Sequence, residues 1–267
     1  MPSLDQHQSS TTTKLLLIGL SGSGKTGALT SLVEAGYKLR ILDFDNGLDS
    51  LVIQCRQRCP ASLGNVSFVS LRDKIKGTQA GPVLDGMPTA FTRAMQLLDR
   101  WKDGDVDLGK PSDWGEDTVV VVDSLTFLSE AAYNWAEAMN PGAKDKRQIY
   151  GAAQSAVENA IALLTGDNFK TNVIVISHIK FLDQPDGTVK GFPTSVGNAL
   201  SPKLPAYFNN VALCETKGQG QNVSRVLRTT STGLIDLKSP ASFKLAQELP
   251  ITTALATFFE TNRGKTK

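Results

Sequence analysis

The strongest constraint on the fold is one glycine-rich turn. Gly19-Leu20-Ser21-Gly22-Ser23-Gly24-Lys25-Thr26 fits the pattern G-x-x-x-x-G-K-[ST] without a mismatch. A match of this kind arises by accident in about one chain in a hundred of this length. The apolar run Leu15 to Ile18 precedes it, and a helix-forming stretch, Ala28 to Ala35 closed by Gly36, follows it. A strand, a glycine loop and a helix in that order suit a polyphosphate. Glycines let the backbone approach closely enough for successive N–H groups to face phosphate oxygens, and the helix start adds positive potential. The motif therefore predicts a nucleotide-binding set of Gly19, Leu20, Ser21, Gly22, Ser23, Gly24, Lys25, Thr26 and Gly27. Lys25 reaches the β- and γ-phosphates, and the Thr26 hydroxyl is a ligand for Mg²⁺, with ATP as the nucleotide. A glycine-rich turn without function gives no reason for Lys-Thr at its end.

The rest of the chain repeats the strand-then-helix pattern. Leu39 to Leu42 leads to a helix around Leu48 to Arg58, and Val119 to Val122 to one around Leu128 to Met139. Val173 to Ile176 follows a helix across Ile149 to Leu164. Continuous apolar runs belong to strands covered on both faces, so the expected fold is three-layer α/β with a mainly parallel sheet. Asn210 to Glu215 and Val223 to Arg228, joined through Lys217 to Gly220, predict an antiparallel hairpin at the C-terminal edge. A last helix is expected over Thr252 to Glu260. The 267 residues, 40% of them hydrophobic, suffice for one such domain over 14–262, with a flexible polar tail at 1–13 and a short basic tail at 263–267. Residues 72–117, rich in Gly, Pro, Asp and Lys around an amphipathic helix at Thr89 to Trp101, are read as an insertion.

Composition excludes several classes. With 28 Lys+Arg against 26 Asp+Glu the net charge is +2, too small for a globally basic nucleic-acid coat. No apolar run approaches the ~20 residues that cross a bilayer, and no secretory leader opens the chain, which predicts a cytoplasmic protein without membrane contact. Cys55, Cys59 and Cys214 are too few for a disulfide framework; Cys55 and Cys59 read as ordinary helix positions and not as half of a zinc set.

Further acids stand at strand ends. Thr118 to Ser124 is an apolar strand closing on Asp123, the Walker B pattern, which nominates Asp123 as the partner of Thr26 in holding the metal; an Asp there also suits a helix cap. Asp43, Asp45 and Asp49 follow the strand after the phosphate-loop helix, and Asp43 and Asp45 share a side if the chain stays extended. Acids that merely solubilise a turn would look the same.

Taken together, Gly19 to Thr26, Asp43 to Asp49, Val119 to Ser124 and Val173 to His178 resemble the RecA-like recombinase ATPase core, over roughly Lys14 to Thr230. The nearest likeness is to the small core-only versions of bacteriophages, implicated in recombination and single-strand annealing; the N-terminal helical domain and the substantial C-terminal domain of bacterial RecA have no counterpart. The resemblance implies a DNA-stimulated ATPase. Asp45, in the Asp-x-acid-x-x-Leu-Asp pattern, takes the place of the carboxylate that activates water, with Asp43 as the alternative. His178 takes the place of a sensor of the γ-phosphate. The long segment 182–205, with Pro185, Pro193 and Pro202, is the expected DNA loop: Lys190 and Lys203 for phosphates, Phe192 for stacking on a base. Lys217, Arg225 and Arg228 are the positions for basic groups that complete a neighbouring subunit's site. The implied partners are single-stranded DNA, further copies of the chain and a single-strand DNA-binding protein, in a host cytoplasm if the source is a phage. The rival readings are a nucleotide-dependent protein-binding switch, a replication or packaging accessory and, with no arginine-bearing lid in view, a small-molecule kinase.

Overall fold

Apolar side chains in the central strands alternate between two cores. Leu15 and Leu17 point one way with Leu39, Ile41, Val119, Val121, Ile174 and Ile176. Leu16 and Ile18 point the other way with Leu42, Val120, Val122, Val173 and Val175. A period of two that is apolar at every position leaves no solvent face, so helices must cover both sides. The computed structural model, which describes residues 12–263, shows this arrangement. The expected tails at 1–13 and 263–267 lie largely outside the described residues.

The central sheet has eight strands: β1 (Lys14–Gly19), β2 (Lys38–Asp43), β3 (Val66–Ser70), β4 (Thr118–Asp123), β5 (Asn172–Ser177), β6 (Asn210–Lys217), β7 (Ser224–Arg228) and β8 (Glu248–Pro250). Their order is β8-β7-β6-β1-β5-β4-β2-β3. Pairing is parallel from β6 through β3, and β7 and β8 add antiparallel at the edge. One face carries α1 (Lys25–Ala28), α2 (Thr30–Glu34), α3 (Asp49–Arg58) and α7 (Ala254–Asn262); the other carries α4 (Ala90–Asp99), α5 (Leu125–Met139) and α6 (Lys146–Thr165). This is a three-layer α/β core with a mainly parallel sheet and an antiparallel hairpin at its C-terminal edge.

Three local expectations change. The edge strands β3 and β8 add to the sheet beyond the strands expected. The segment expected as a long loop at 182–205 begins as an antiparallel hairpin, Ile179–Asp183 with Val189–Pro193, in which Phe181 stands opposite Gly191. Asp43 and Asp45 do not share a side, because β2 ends at Asp43 and the chain bends, reaching φ 55° at Asn46. Cys55, Cys59 and Cys214 are free and buried, Cys55 within α3 and Cys59 capping its end.

Candidate nucleotide site

The carboxyl ends of the parallel strands converge on a cavity of about 510 Å³. Its wall is the glycine loop after β1. Gly19 has no room for a Cβ, which would meet the Ser23 hydroxyl and lie 2.7 Å from the Cys214 carbonyl oxygen. Gly24 takes φ +93°, a left-handed conformation that glycine adopts without penalty. The Lys25 ammonium is buried and donates to the carbonyls of Gly19 (3.0 Å) and Leu20 (2.9 Å). Burial pulls its pKa below the ordinary lysine value, and the carboxylates of Asp123 and Asp45 oppose that shift.

Thr26 and Asp123 meet directly although their strands are not neighbours. β5 lies between β1 and β4, yet the Thr26 hydroxyl donates to Asp123 Oδ2 at 2.8 Å. Asp123 is 1% exposed, and its Oδ1 is buried without a hydrogen-bond partner among the described residues. A buried carboxylate oxygen left unpaired is costly, and a cation or its water would satisfy it. Burial pushes this carboxyl up to about 7 in the ligand-free chain, opposed by the Thr26 hydrogen bond. No group of three or more His, Cys, Asp or Glu is placed to hold a metal ion by itself among the described residues, so the protein's donors here are Thr26 and Asp123. That donor set suits Mg²⁺, which keeps waters and substrate phosphates as most of its ligands, with Thr26 and Asp123 as the protein's share.

Asp45 reaches the same cavity by a different route. β2 and β4 pair in register, Asp43 opposite Asp123, and the Asp123 carbonyl accepts from the N–H groups of Phe44 (2.6 Å) and Asp45 (3.2 Å). Asp45 Oδ1 accepts from the Ser124 hydroxyl at 2.7 Å. Asp43 instead turns inward: it is buried, accepts from the Asn46 N–H at 2.8 Å and holds the turn. Asp45 lines the cavity and Asp43 does not.

His178, following β5, also lines the cavity. Its Nδ1 lies 3.2 Å from the Thr126 hydroxyl, and its ring meets Phe127 edge-on at 6.3 Å. Burial, reinforced by the Lys25 ammonium, holds its imidazole below the ordinary value. The His178 carbonyl accepts from Thr194 N–H at 2.8 Å, which ties the cavity to the base of the 179–193 hairpin.

Apart from Arg225, which lines the cavity, the remaining expected site residues lie elsewhere. Lys190 pairs with Asp236 at 2.8 Å, and Lys203 pairs with Glu158, so neither is a free cation. Phe192 is half-buried, whereas Phe181 on the paired strand is 48% exposed. Lys217 is bound to Glu248, and Arg228 to Glu215 (2.8 Å) and Glu248 (2.9 Å), all within the same chain. Arg225 points to its own chain's loop, donating to the Gly22 carbonyl at 3.0 Å. Gly47, Ile251 and Thr252 also line the cavity without having been anticipated, as do Ser50 and Gln54 of α3. They stand four apart on one helix face, but α3 carries other polar residues that do not reach the cavity, so spacing alone does not single them out.

A KaiC-like protein of the hyperthermophilic archaeon Pyrococcus horikoshii OT3 is among the solved structures similar to this chain, at 11% identity and a TM-score of 0.36 over 81% of this chain and 77% of that one. No curated protein matches. The family model described as an AAA domain, AAA_24, matches residues 11–241. With the glycine loop, the Thr26–Asp123 contact and the strand-end carboxylates on one sheet edge, the chain is a P-loop ATPase that belongs to the AAA_24 family of AAA domains.

Proposed function

We propose that the chain hydrolyses Mg·ATP and uses the state of the nucleotide to control its grip on single-stranded DNA, as an oligomer. The observation that carries the first part is the Thr26–Asp123 contact, with the unpartnered Asp123 Oδ1 beside it, on a cavity that Lys25 and Asp45 also line. Thr26 and Asp123 would hold the Mg²⁺ that accompanies ATP, and the ion would supply positive charge against the phosphates. The loop amides and Lys25 hold the phosphates. Asp45 orients the attacking water and takes its proton: Ser124 engages one carboxylate oxygen and leaves the other to accept. His178 reads the γ-phosphate end, and its carbonyl bond to Thr194 carries any displacement into the hairpin.

The hairpin supports the DNA part of the reading. It presents Phe181 to solvent as a stacking surface, better placed than Phe192. The ion pairs of Lys190 and Lys203 are exposed surface pairs, which solvent screens and nucleic-acid phosphates can replace. Those same pairs favour one second reading, a nucleotide-dependent protein-binding switch whose hairpin stays closed to DNA.

ATP hydrolysis measured with and without single-stranded oligonucleotides separates the two. The DNA reading expects stimulation, loss of turnover in Lys25→Ala, and in Asp45→Asn retained ATP binding with turnover down about 10²- to 10⁴-fold. It also expects a flatter salt dependence of DNA affinity when Lys190 and Lys203 are both replaced by Ala. Turnover and affinity indifferent to DNA would leave the protein-binding switch.

A further inference from the structure

The basic residues at the antiparallel edge divide by strand face. Along β7, Arg225 and Leu227 project to one side and Val226 and Arg228 to the other. Leu227 is fully buried in the core shared with Ala28 and Leu29, on the side of the phosphate-loop helix. Arg225 therefore emerges on that same side. Register sets how far along it stands: Cys214 of β6 pairs with Gly19 of β1, and Thr216, two residues on, pairs with Arg225. The arginine thus lies just past the carboxyl end of β1, where the chain wraps into the glycine loop.

Several contacts hold it there. Arg225 Nε donates to the Gly22 carbonyl at 3.0 Å. Its Cδ lies 2.8 Å from where a Cβ on Gly24 would be, and Ile251 Cγ1 lies 3.7 Å from the same point. Ile251 N–H donates to the Arg225 carbonyl at 3.1 Å. Arg225 lines the cavity with Lys25, and unlike Lys217 and Arg228 it has no carboxylate partner among the described residues. A guanidinium has five N–H donors in a planar fork, and the loop carbonyl takes one of them. On this cavity the chemistry that matches the rest is a phosphate chain.

We infer that Arg225 is a nucleotide-binding residue acting on its own subunit's phosphate loop, its free N–H groups donating to phosphate oxygens of the nucleotide held there. The inference rests on the nucleotide site proposed above. It assigns the arginine in cis, so Lys25 and Arg225 act on the nucleotide from one and the same chain.

The test combines equilibrium titration of a fluorescent ATP analogue with subunit mixing, on the full chain. Arg225→Ala is expected to weaken binding about 10- to 100-fold, by the same factor at every protein concentration, with Arg225→Lys intermediate because it keeps the charge and loses the fork. The unfolding midpoint of each variant checks that it folds; should Arg225→Ala not fold, Arg225→Lys carries the titration. At an ATP concentration too low for Arg225→Ala alone to turn over, mixing Lys25→Ala with Arg225→Ala is expected to restore no hydrolysis, since no protomer then holds both groups. Wild-type affinity in the folded Arg225 variants, or hydrolysis regained on mixing, overturns the cis assignment while leaving the nucleotide site standing. A wild-type chain that fails to bind the analogue overturns the nucleotide site itself, and this inference with it.

Discussion

At Gly24 two demands coincide that a side chain meets only at a cost. The φ of +93° lies where an L-residue is strained, and the space a Cβ would need is occupied by the Arg225 stem. The first term belongs to the backbone and costs about 1–2 kcal/mol. The second belongs to a flexible side chain that can be removed. Gly24→Ala should therefore destabilise the chain by about that backbone cost or somewhat more, and adding Arg225→Ala should recover only the steric part. Urea unfolding of the two single variants and the double variant measures this as a coupling energy. Strict additivity would mean that Arg225 does not rest against Gly24 in solution. The same scale explains why Asp43 and Asp45, two residues apart, part company. The backbone leaves the extended state at Asp43, whose carboxylate is consumed by the Asn46 N–H, while Asp45 is swung onto the cavity by its N–H bond to the Asp123 carbonyl.

Helix α4 shows what the 72–117 insertion does as an element. It does not fold around itself; Ala94, Leu97 and Leu98 join the core that α5 and α6 share with the sheet. Trp101, just beyond the helix, is 2% exposed and packs against Trp114 with ring centroids 5.7 Å apart. Trp101→Ala should cost about 3–5 kcal/mol, read from the denaturant midpoint; a loss below about 1 kcal/mol would mean that the insertion is only loosely attached. Elements of this kind mark where sequence reading succeeds. β1, β2, β4 and β5 are legible because a strand buried on both faces must be apolar throughout, and Asp45, Asp123 and His178 because a parallel sheet brings its strand ends to one edge. β3 carries Ser67, Phe68 and Ser70 as an edge strand and has no such signature. β8 is three residues ending in Pro250, and the hairpin after His178 hides behind glycines and prolines. That Arg225, alone of these basic residues, borders the phosphate loop was not legible for a related reason. Three basic residues on one edge hairpin look alike until the register of β6 and β7 shows which of them faces the loop and which face carboxylates.

Across the whole molecule the sheet has a working edge and a sealed one. The carboxyl ends open into the cavity; the amino ends are closed by buried polar groups. Asn172 accepts from Thr13 N–H at 2.8 Å and donates to the Thr118 carbonyl at 3.0 Å. Lys14, at the start of β1, is 5% exposed, and its ammonium donates to the carbonyls of Phe169 and Thr171, both at 2.6 Å, beside the Phe169 ring. Burial, with help from Lys170, pulls its pKa down to about 7. Unfolded, the same lysine titrates near 10.5, so between these values the unfolded chain holds more protons than the folded one. By linkage, the Lys14 contribution makes the fold more stable as pH rises from about 7 towards 10.5 and less stable as pH falls back through that window, levelling off below about 7. Lys14→Met removes the titrating group. The stability of the wild-type chain relative to this variant should therefore climb between pH 7 and pH 10, as measured by urea unfolding at several pH values. A difference that stays flat over that range would show that Lys14 keeps an ordinary pKa inside the fold. Because Lys14 sits at the end of β1 away from the glycine loop, the same substitution should leave nucleotide affinity at neutral pH unchanged, which separates the stability of the sealed edge from the chemistry of the open one.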